Sequence, residues 1–375
     1  MPFNGTYIEY VIAVVNNSSV GDTQSLPSID TGRLIWKVGS PLIIIFGTFG
    51  NIMVFLVLND RNVTHPSMAV YLRVLAVSDL IAILDNIMFR WIRFQFGFDV
   101  WVVHEAICKL STWTYYSCST MSTWTLVVMV TQRAVAVVWP HKVSSSSCKY
   151  SLSCTIALLL VFSMTINSHF LYFSTIINMK FENVTVTRSC NENYDDEVTT
   201  TVFKVWFWIN TLTSSCLPFA ILLIDDVILI RRVVTATREA RDRLAVGSTQ
   251  QVKVREKKAV SMTVTLIVTS LTFFFLTFPY CAFTVTQMLL IDSVFADKSL
   301  FEMVTLIWSV CTLVWCCNNA VNFYLYCWTG TRFRTRAKQL LCCYKMERTV
   351  GSCETVAATG KHFKKTASGD AFEDF

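Results

Sequence analysis

Charge is the property this chain most lacks. Asp, Glu, Lys and Arg make up 15% of its 375 residues, against about 25% in an ordinary soluble domain. Glycine and proline are also scarce, at 12 and 7 residues, which excludes a collagen-like repeat and a Pro/Gly-rich disordered chain. No internal repeat and no paired broken helices are visible, so a transporter built from repeated halves finds no support. No metal-ligand cluster, nucleophile elbow or phosphate loop is present, and an enzyme is not expected. The first 32 residues hold no Lys or Arg, and the apolar stretch Tyr10–Val15 is too short for the core of a signal peptide. The first membrane span is therefore expected to direct insertion itself.

What the chain has instead is apolar surface. Hydrophobic residues reach 53%, with 27 Phe, 11 Trp and 12 Tyr, and the mean hydropathy is +0.47. A water-soluble fold of this size would leave much of that surface wet, so lipid is the solvent the composition suits. Six intervals hold at least 20 residues without a charged side chain: Lys37 to Asp60, Lys109 to Arg133, Lys149 to Lys180, Lys204 to Asp225, Lys258 to Asp292 and Glu302 to Arg332. Each covers the roughly 20 residues that a membrane-spanning helix needs. A seventh segment, from about Met68 to Trp91, contains Arg73, Asp79, Asp85 and Arg90 but is otherwise apolar at helical spacing. It is either a span whose charges face the bundle or the headgroups, or a re-entrant or surface helix. Seven spans make the expected fold an all-α integral-membrane bundle.

Orientation follows from the cations. With the N-terminus outside, 19 Lys and Arg fall on the inner side against nine on the outer side, which is the usual bias. The expected layout is an outer tail over 1–35, a seven-span domain over 36–329, an amphipathic surface helix over 330–343 and an inner tail over 344–375. The glycosylation signals at Asn4, Asn16, Asn17 and Asn183 then all lie outside, whereas the one at Asn62 lies inside. The net charge of +6 marks the face toward anionic lipid rather than a nucleic-acid partner. Phe333, Ala337, Leu340, Leu341 and Tyr344 line one side of the segment after the last span, which suits a helix lying on the inner leaflet. Cys342 and Cys343 are placed there for palmitoylation. Thr349, Ser352, Thr355, Thr366 and Ser368 offer phosphorylation sites in the tail.

Ordered motifs run through the spans. Gly50-Asn51 lies in span one and Leu75-Ala76-Val77-Ser78-Asp79 in span two. Cys108 opens span three, 25 residues before Arg133, and Pro140 follows seven residues after that arginine. Pro218 sits in span five, Phe273 and Pro279 in span six, and Asn318 to Tyr326 at the end of span seven. In this order and at this spacing, residues 36 to 344 resemble the rhodopsin-like (class A) G-protein-coupled receptors. Asn322-Phe323-Tyr324-Leu325-Tyr326-Cys327, span six without its usual tryptophan, and Asn167-Ser168-His169 look more narrowly like invertebrate neuropeptide receptors of the FMRFamide and myomodulin types.

The resemblance implies a plasma-membrane receptor that binds an extracellular ligand and activates a heterotrimeric G protein. Receptor kinases and arrestin would act on the tail. A neuropeptide is the expected ligand; a lipid or small molecule is the alternative, and a channel or transporter a more distant one. It further implies a disulfide between Cys108 and Cys190, with two free thiols as the other reading. Asp79 would bind an allosteric sodium ion with Ser122, Asn318 and Asn322, or else sit protonated in a hydrogen-bond network without an ion. Ligand contacts would come from Asp85, Tyr115, Tyr116, His169, Gln287 and Trp308. Because Tyr115 occupies the place of the amine-binding aspartate, an amine ligand is not expected. The outer loops carry Glu182, Glu192, Asp195, Asp196, Glu197, Asp292, Asp297 and Glu302, either as solvated charge or as an attractant for a basic peptide.

The switch departs from the family pattern. Gln132 replaces the acid before Arg133, Ala259 stands where span six has an acid, Thr277 replaces the tryptophan before Pro279, and Asp226 stands in a usual tyrosine position. Arg133 is expected either to pair with Asp226 at rest, or to leave Asp225 and Asp226 to inner-face water. Pro279 would kink span six into a hinge, and Asn322 and Tyr326 complete the expected switch set.

Overall fold

The structure, a computed structural model, describes residues 27–139, 148–181, 184–192, 197–244, 250–289 and 298–341. Among the described residues, seven helices are long and apolar enough to cross a membrane. They are span one (Asp30–Leu58), two (Pro66–Phe96), three (Glu105–Val138), four (Ser151–Phe173), five (Lys204–Ala236), six (Val260–Leu289) and seven (Met303–Thr329). Between spans four and five, β1 (Ser174–Phe181) and β2 (Val184–Glu192) form an antiparallel hairpin. A short helix, Thr331–Leu341, follows span seven after Gly330. One end of the bundle is called here the hairpin end and the other the tail end.

The charges of span two select between its two readings. The segment is a full helix, broken only by a π-helical turn at Ile83–Ile87. Asp79 is wholly buried, and Arg73 Nη2 donates to the Leu58 carbonyl at 2.7 Å, at the end of span one. Arg90 is drawn inward as well. Its Nε donates to Asn86 Oδ1 at 2.8 Å, and its guanidinium lies 5.3, 5.7 and 5.6 Å from the Trp36, Trp101 and Trp308 rings. Cation–π attraction and the side-chain amide thus hold this charge within the bundle, one of the two places the sequence left open for it.

The first helix begins at Pro27, ahead of the residue-36 start expected for the seven-span domain. Proline presets the backbone angle of a first helical turn, and Asp30 in that turn favours the helix dipole and pairs with Arg33 at 3.1 Å. Trp36 then anchors the extension, fully buried between Phe94 and Trp308. Toward the outside of the bundle, Ile45, Leu158, Val161, Ile224 and Phe275 present bare apolar side chains that lipid covers without cost.

Spans one and seven pack closely around Gly47. A Cβ at this position would lie 2.6 Å from Ile83 Cδ1 and 3.0 Å from Ala320 Cβ. Small residues at such crossings let helix backbones meet in lipid. Gly47→Val is therefore expected to push spans one, two and seven apart, at about 1–3 kcal/mol of overpacking strain. A lowered thermal midpoint of the detergent-solubilised protein, with less of it at the cell surface, is the measurable result.

Candidate functional site

Mid-bundle, Asp79 gathers its partners from two other spans. Its Oδ1 accepts from Ser122 Oγ at 2.8 Å and its Oδ2 from Asn322 Nδ2 at 2.7 Å. Asn51 Nδ2 donates to the carbonyls of Gly47 and Asn319 at 3.0 and 2.9 Å, joining spans one and seven beside this group. Asn318 contributes its main-chain carbonyl, which accepts from Asn322 Nδ2 at 3.5 Å; its side chain is not brought to Asp79. A carboxylate and a hydroxyl in one buried place are oxygen donors of the kind a hard cation takes. The same contacts also satisfy Asp79 by hydrogen bonds alone.

Toward the hairpin end lies a cavity of about 120 Å³ between spans three, five, six and seven. A second π-helical turn, Leu212–Cys216, shapes its span-five wall just before Pro218. Tyr116, Gln287 and Trp308 line the cavity, as do Thr277, Asn210 and Ser214. No Asp, Glu, Lys, Arg or His is among its described lining residues. Tyr280 and Trp315 form an aromatic plate there, stacked 4.5 Å apart at 5°. Tyr115 meets the edge of Trp315 at 5.8 Å. Thr277 Oγ1, buried in the place of the absent indole, has no hydrogen-bond partner.

Three expected ligand contacts lie off this lining. Tyr115 is buried behind it. Asp85 Oδ1 accepts from Ser111 Oγ at 2.8 Å, and the same hydroxyl accepts from Trp101 Nε1 at 2.9 Å. His169 packs on Trp206 at 4.9 Å. The π-turn in span two and the end of the long span-four helix at Ile166 shift Asp85 and His169 away from where unbroken helices would put them. Trp315, Tyr280 and Asn210 were missed. Trp315 follows Trp308 by seven residues, two helical turns on the same face, and that spacing was the available signal.

The hairpin covers this end. Cys108 and Cys190 form a disulfide, as expected, so the free-thiol reading is dropped. Glu105 adds a second tie, accepting from Thr175 Oγ1 and from the Ile176 main-chain N–H, both at 3.1 Å.

At the tail end the expected ion pair is absent. Arg133 Nη2 instead donates to Met262 Sδ at 3.7 Å, and Thr64 Oγ1 donates to the same sulfur at 3.8 Å. Asp226 accepts from Ser270 Oγ at 2.8 and 2.7 Å through its two oxygens, and Asp225 Oδ2 accepts from Thr131 Oγ1 at 2.6 Å. Among the described residues no ion pair involves Arg133. Water is not the partner of the two aspartates either, since they are only 6% and 3% exposed. Consecutive helical residues diverge by about 100°, so one aspartate meets span three and the other span six. Gln132, in the place of an acid, donates through Nε2 to Tyr71 Oη at 2.7 Å.

Beside these groups a cavity of about 220 Å³ opens between Met68, Met262, Thr265, Tyr326 and Phe333. Tyr326 packs edge-on against Phe333 at 5.5 Å, and Phe323, in the usual proline position, meets Phe49 and Phe333 at 5.9 Å each. Pro279 lies within the continuous helix Gln250–Leu289, one turn and a half beyond Phe273, which meets Phe219 of span five at 5.7 Å. The short last helix buries Phe333 and Ala337, and Arg336 pairs with Asp60 at 3.7 Å. Asn4, Asn16, Asn17, Asn183, Cys342, Cys343 and the tail hydroxyls lie outside the described residues, as do most of the acidic loop side chains.

The family model of the 7 transmembrane receptor (rhodopsin family) matches residues 50–326, well over half of the chain. The match runs from the Gly50-Asn51 pair that ties span one to span seven to the tyrosine that closes the span-seven motif. Such receptors couple an extracellular ligand to a G protein and are not enzymes. This multi-pass membrane chain belongs to the rhodopsin family of G-protein-coupled receptors.

Proposed function

We propose that the receptor lies in the plasma membrane with its hairpin end and N-terminus outside, and that it responds to a neuropeptide with an amidated, aromatic end. The observation that carries this reading is the uncharged lining of the 120 Å³ cavity, rich in hydroxyl, amide and aromatic groups. A free carboxylate or ammonium entering it would lose its water without gaining a counter-ion, at a cost of several kcal/mol. A carboxamide beside Asn210 and Gln287, with a ring against Tyr280 and Trp315, suffers no such loss. The acidic residues of the loops draw in the basic part of the peptide. Receptors of the FMRFamide and myomodulin type bind ligands of this kind.

The occupant presses on the Tyr280–Trp315 plate, next to Pro279. Tilting at that proline swings the tail end of span six outward and opens the cleft by Arg133 to a heterotrimeric G protein, as a shift between two bundle states. Asp79, Ser122 and Asn322 would hold a sodium ion in the closed state, with Asn318 joining if its side chain turns inward. Cys342 and Cys343 carry palmitate, the outer sequons carry glycans, and the phosphorylated tail recruits arrestin.

Amidated peptides and their free-acid twins, tested pairwise with calcium and cyclic-AMP readouts, check the reading. The amide is expected to be at least about tenfold more potent than the acid, which corresponds to about 1.4 kcal/mol of lost pairing. Equal potency of the two, or activation by lipids or small molecules alone, would overturn it.

A further inference from the structure

Two donors converge on one sulfur at the tail end of span six. Arg133 Nη2 lies 3.7 Å and Thr64 Oγ1 3.8 Å from Met262 Sδ. The arginine belongs to span three, and the threonine to the turn between spans one and two. Among the described residues no other methionine sulfur takes two hydrogen bonds; that of Met121 takes one, from Ser163 Oγ at 3.9 Å. A thioether is a weak acceptor, even for a guanidinium. Three elements thus meet at this sulfur, and it holds them loosely.

Met262 is also within reach of a small oxidant. It is half-buried, and with Thr64 it lines the cavity of about 220 Å³ beside Arg133. Hydrogen peroxide can transfer one oxygen atom to a thioether. The sulfur gives up two electrons, the O–O bond breaks and water leaves, so the product is the sulfoxide. Its oxygen is a far stronger acceptor than the sulfur it sits on. Placed one bond length from Sδ and off the line to each donor, that oxygen would stand about 2.8 Å from Nη2 and Oγ1, the length of a charge-assisted hydrogen bond. The two long contacts to sulfur therefore leave room for the added atom, with both donors already aimed at it.

We propose that Met262 is a reversible oxidation site whose sulfoxide clamps span six to span three and to the turn between spans one and two. The clamped bundle resists the outward swing of span six, so oxidation lowers signalling. A methionine sulfoxide reductase removes the oxygen and restores it. The inference rests on the outward swing proposed above and is independent of which ligand the receptor takes.

The full-length receptor, treated with hydrogen peroxide and freed of it before G protein is added, tests the inference. Peptide mass spectrometry should find the added oxygen on Met262 ahead of Met68, which lines the same cavity but is only 7% exposed. Ligand-free nucleotide exchange should fall about fivefold, through the stronger hydrogen bond gained by the closed state, and the reductase should return it. Met262→Leu keeps the size without the sulfur, and its exchange should not respond to peroxide. Met262→Gln supplies a carbonyl oxygen without oxidation and should lower exchange in untreated receptor. Two results would overturn the proposal: no oxygen on Met262 under conditions that oxidise the exposed Met303, or exchange that rises when Met262 is oxidised. Where exchange does not change, the thermal midpoint of the solubilised receptor decides. A peroxide-induced rise in the wild type over Met262→Leu would uphold the clamp and overturn the swing; no such rise would overturn the clamp.

Discussion

Cys108→Ser is expected to remove most of the folded receptor from the cell surface. The Cys108–Cys190 disulfide closes a loop with a sequence separation of 82, and loop closure on that scale restrains the unfolded chain by about 4 kcal/mol. That figure is an upper bound here, because spans three and four remain inserted when packing is lost. It still exceeds the roughly 1 kcal/mol of a single hydrogen bond such as Thr175 to Glu105. Among the described residues the hairpin it anchors has two strands and no third, and two strands alone are marginal. Without the bridge, Ser174, Ser189 and Asn191, all nearly fully buried, would open to water. Cys190→Ser and the double variant should match Cys108→Ser, because all three lose the same single bond. Thermal midpoints of the solubilised protein, with and without reductant, provide the measurement. A double variant markedly worse than either single would point instead to damage by the substitutions themselves.

The spans were legible because lipid imposes a one-dimensional rule: charge must be absent over the thickness of the membrane. Even the charged second span obeyed it, once Asp79, Asp85 and Arg90 had somewhere inside to go. The order and spacing of Cys108, Arg133, Pro218 and Pro279 likewise survive any rearrangement of side chains. What could not be read is where a helix turns its face. Asp225 and Asp226 are neighbours in sequence and meet different spans, and one residue of helical phase decided which would face span three and which span six. The π-turn at Ile83–Ile87 adds a residue to the count and turns Asp85 toward Ser111 rather than into the cavity. Tertiary contacts outran composition at the start of span one, where Trp36 settles between Phe94 and Trp308. Whether Arg90 faces the bundle or the headgroups was not readable, because cation–π cages are built from residues far apart in sequence. The missing indole of span six was a departure readable at once, but its stand-in was not. The seven-residue spacing from Trp308 puts Trp315 on the same helix face, and the packing shows that it brings an indole to the same cavity from span seven.

Trp315→Ala is expected to uncouple the receptor from its agonist. The indole stacks on Tyr280, touches the edge of Tyr115 and forms part of the cavity lining, so it links spans three, six and seven at one level. Tyr280 adjoins Pro279, where the helix lacks a backbone hydrogen bond and bends most easily. A push on the plate therefore acts at the softest point of span six, and Thr277 is too short to take it up. Removing the indole deletes an aromatic pair of about 1 kcal/mol and leaves a void in which an occupant can settle without moving Tyr280. Potency in G-protein activation should fall about a hundredfold, or roughly 2.7 kcal/mol, while binding to membranes falls much less. Trp315→Phe should keep part of the response, because a smaller ring still stacks. Tyr280→Ala should resemble Trp315→Ala, and the double variant should be little worse than either, since the pair acts as one unit. A parallel loss of binding and activation would reduce Trp315 to an ordinary ligand contact. A further arm restores the ring from the other side: Thr277→Trp in the Trp315→Ala background returns an indole to span six beside the same proline. Recovery there would mean that the cavity needs an aromatic plate at this depth, whichever helix supplies it.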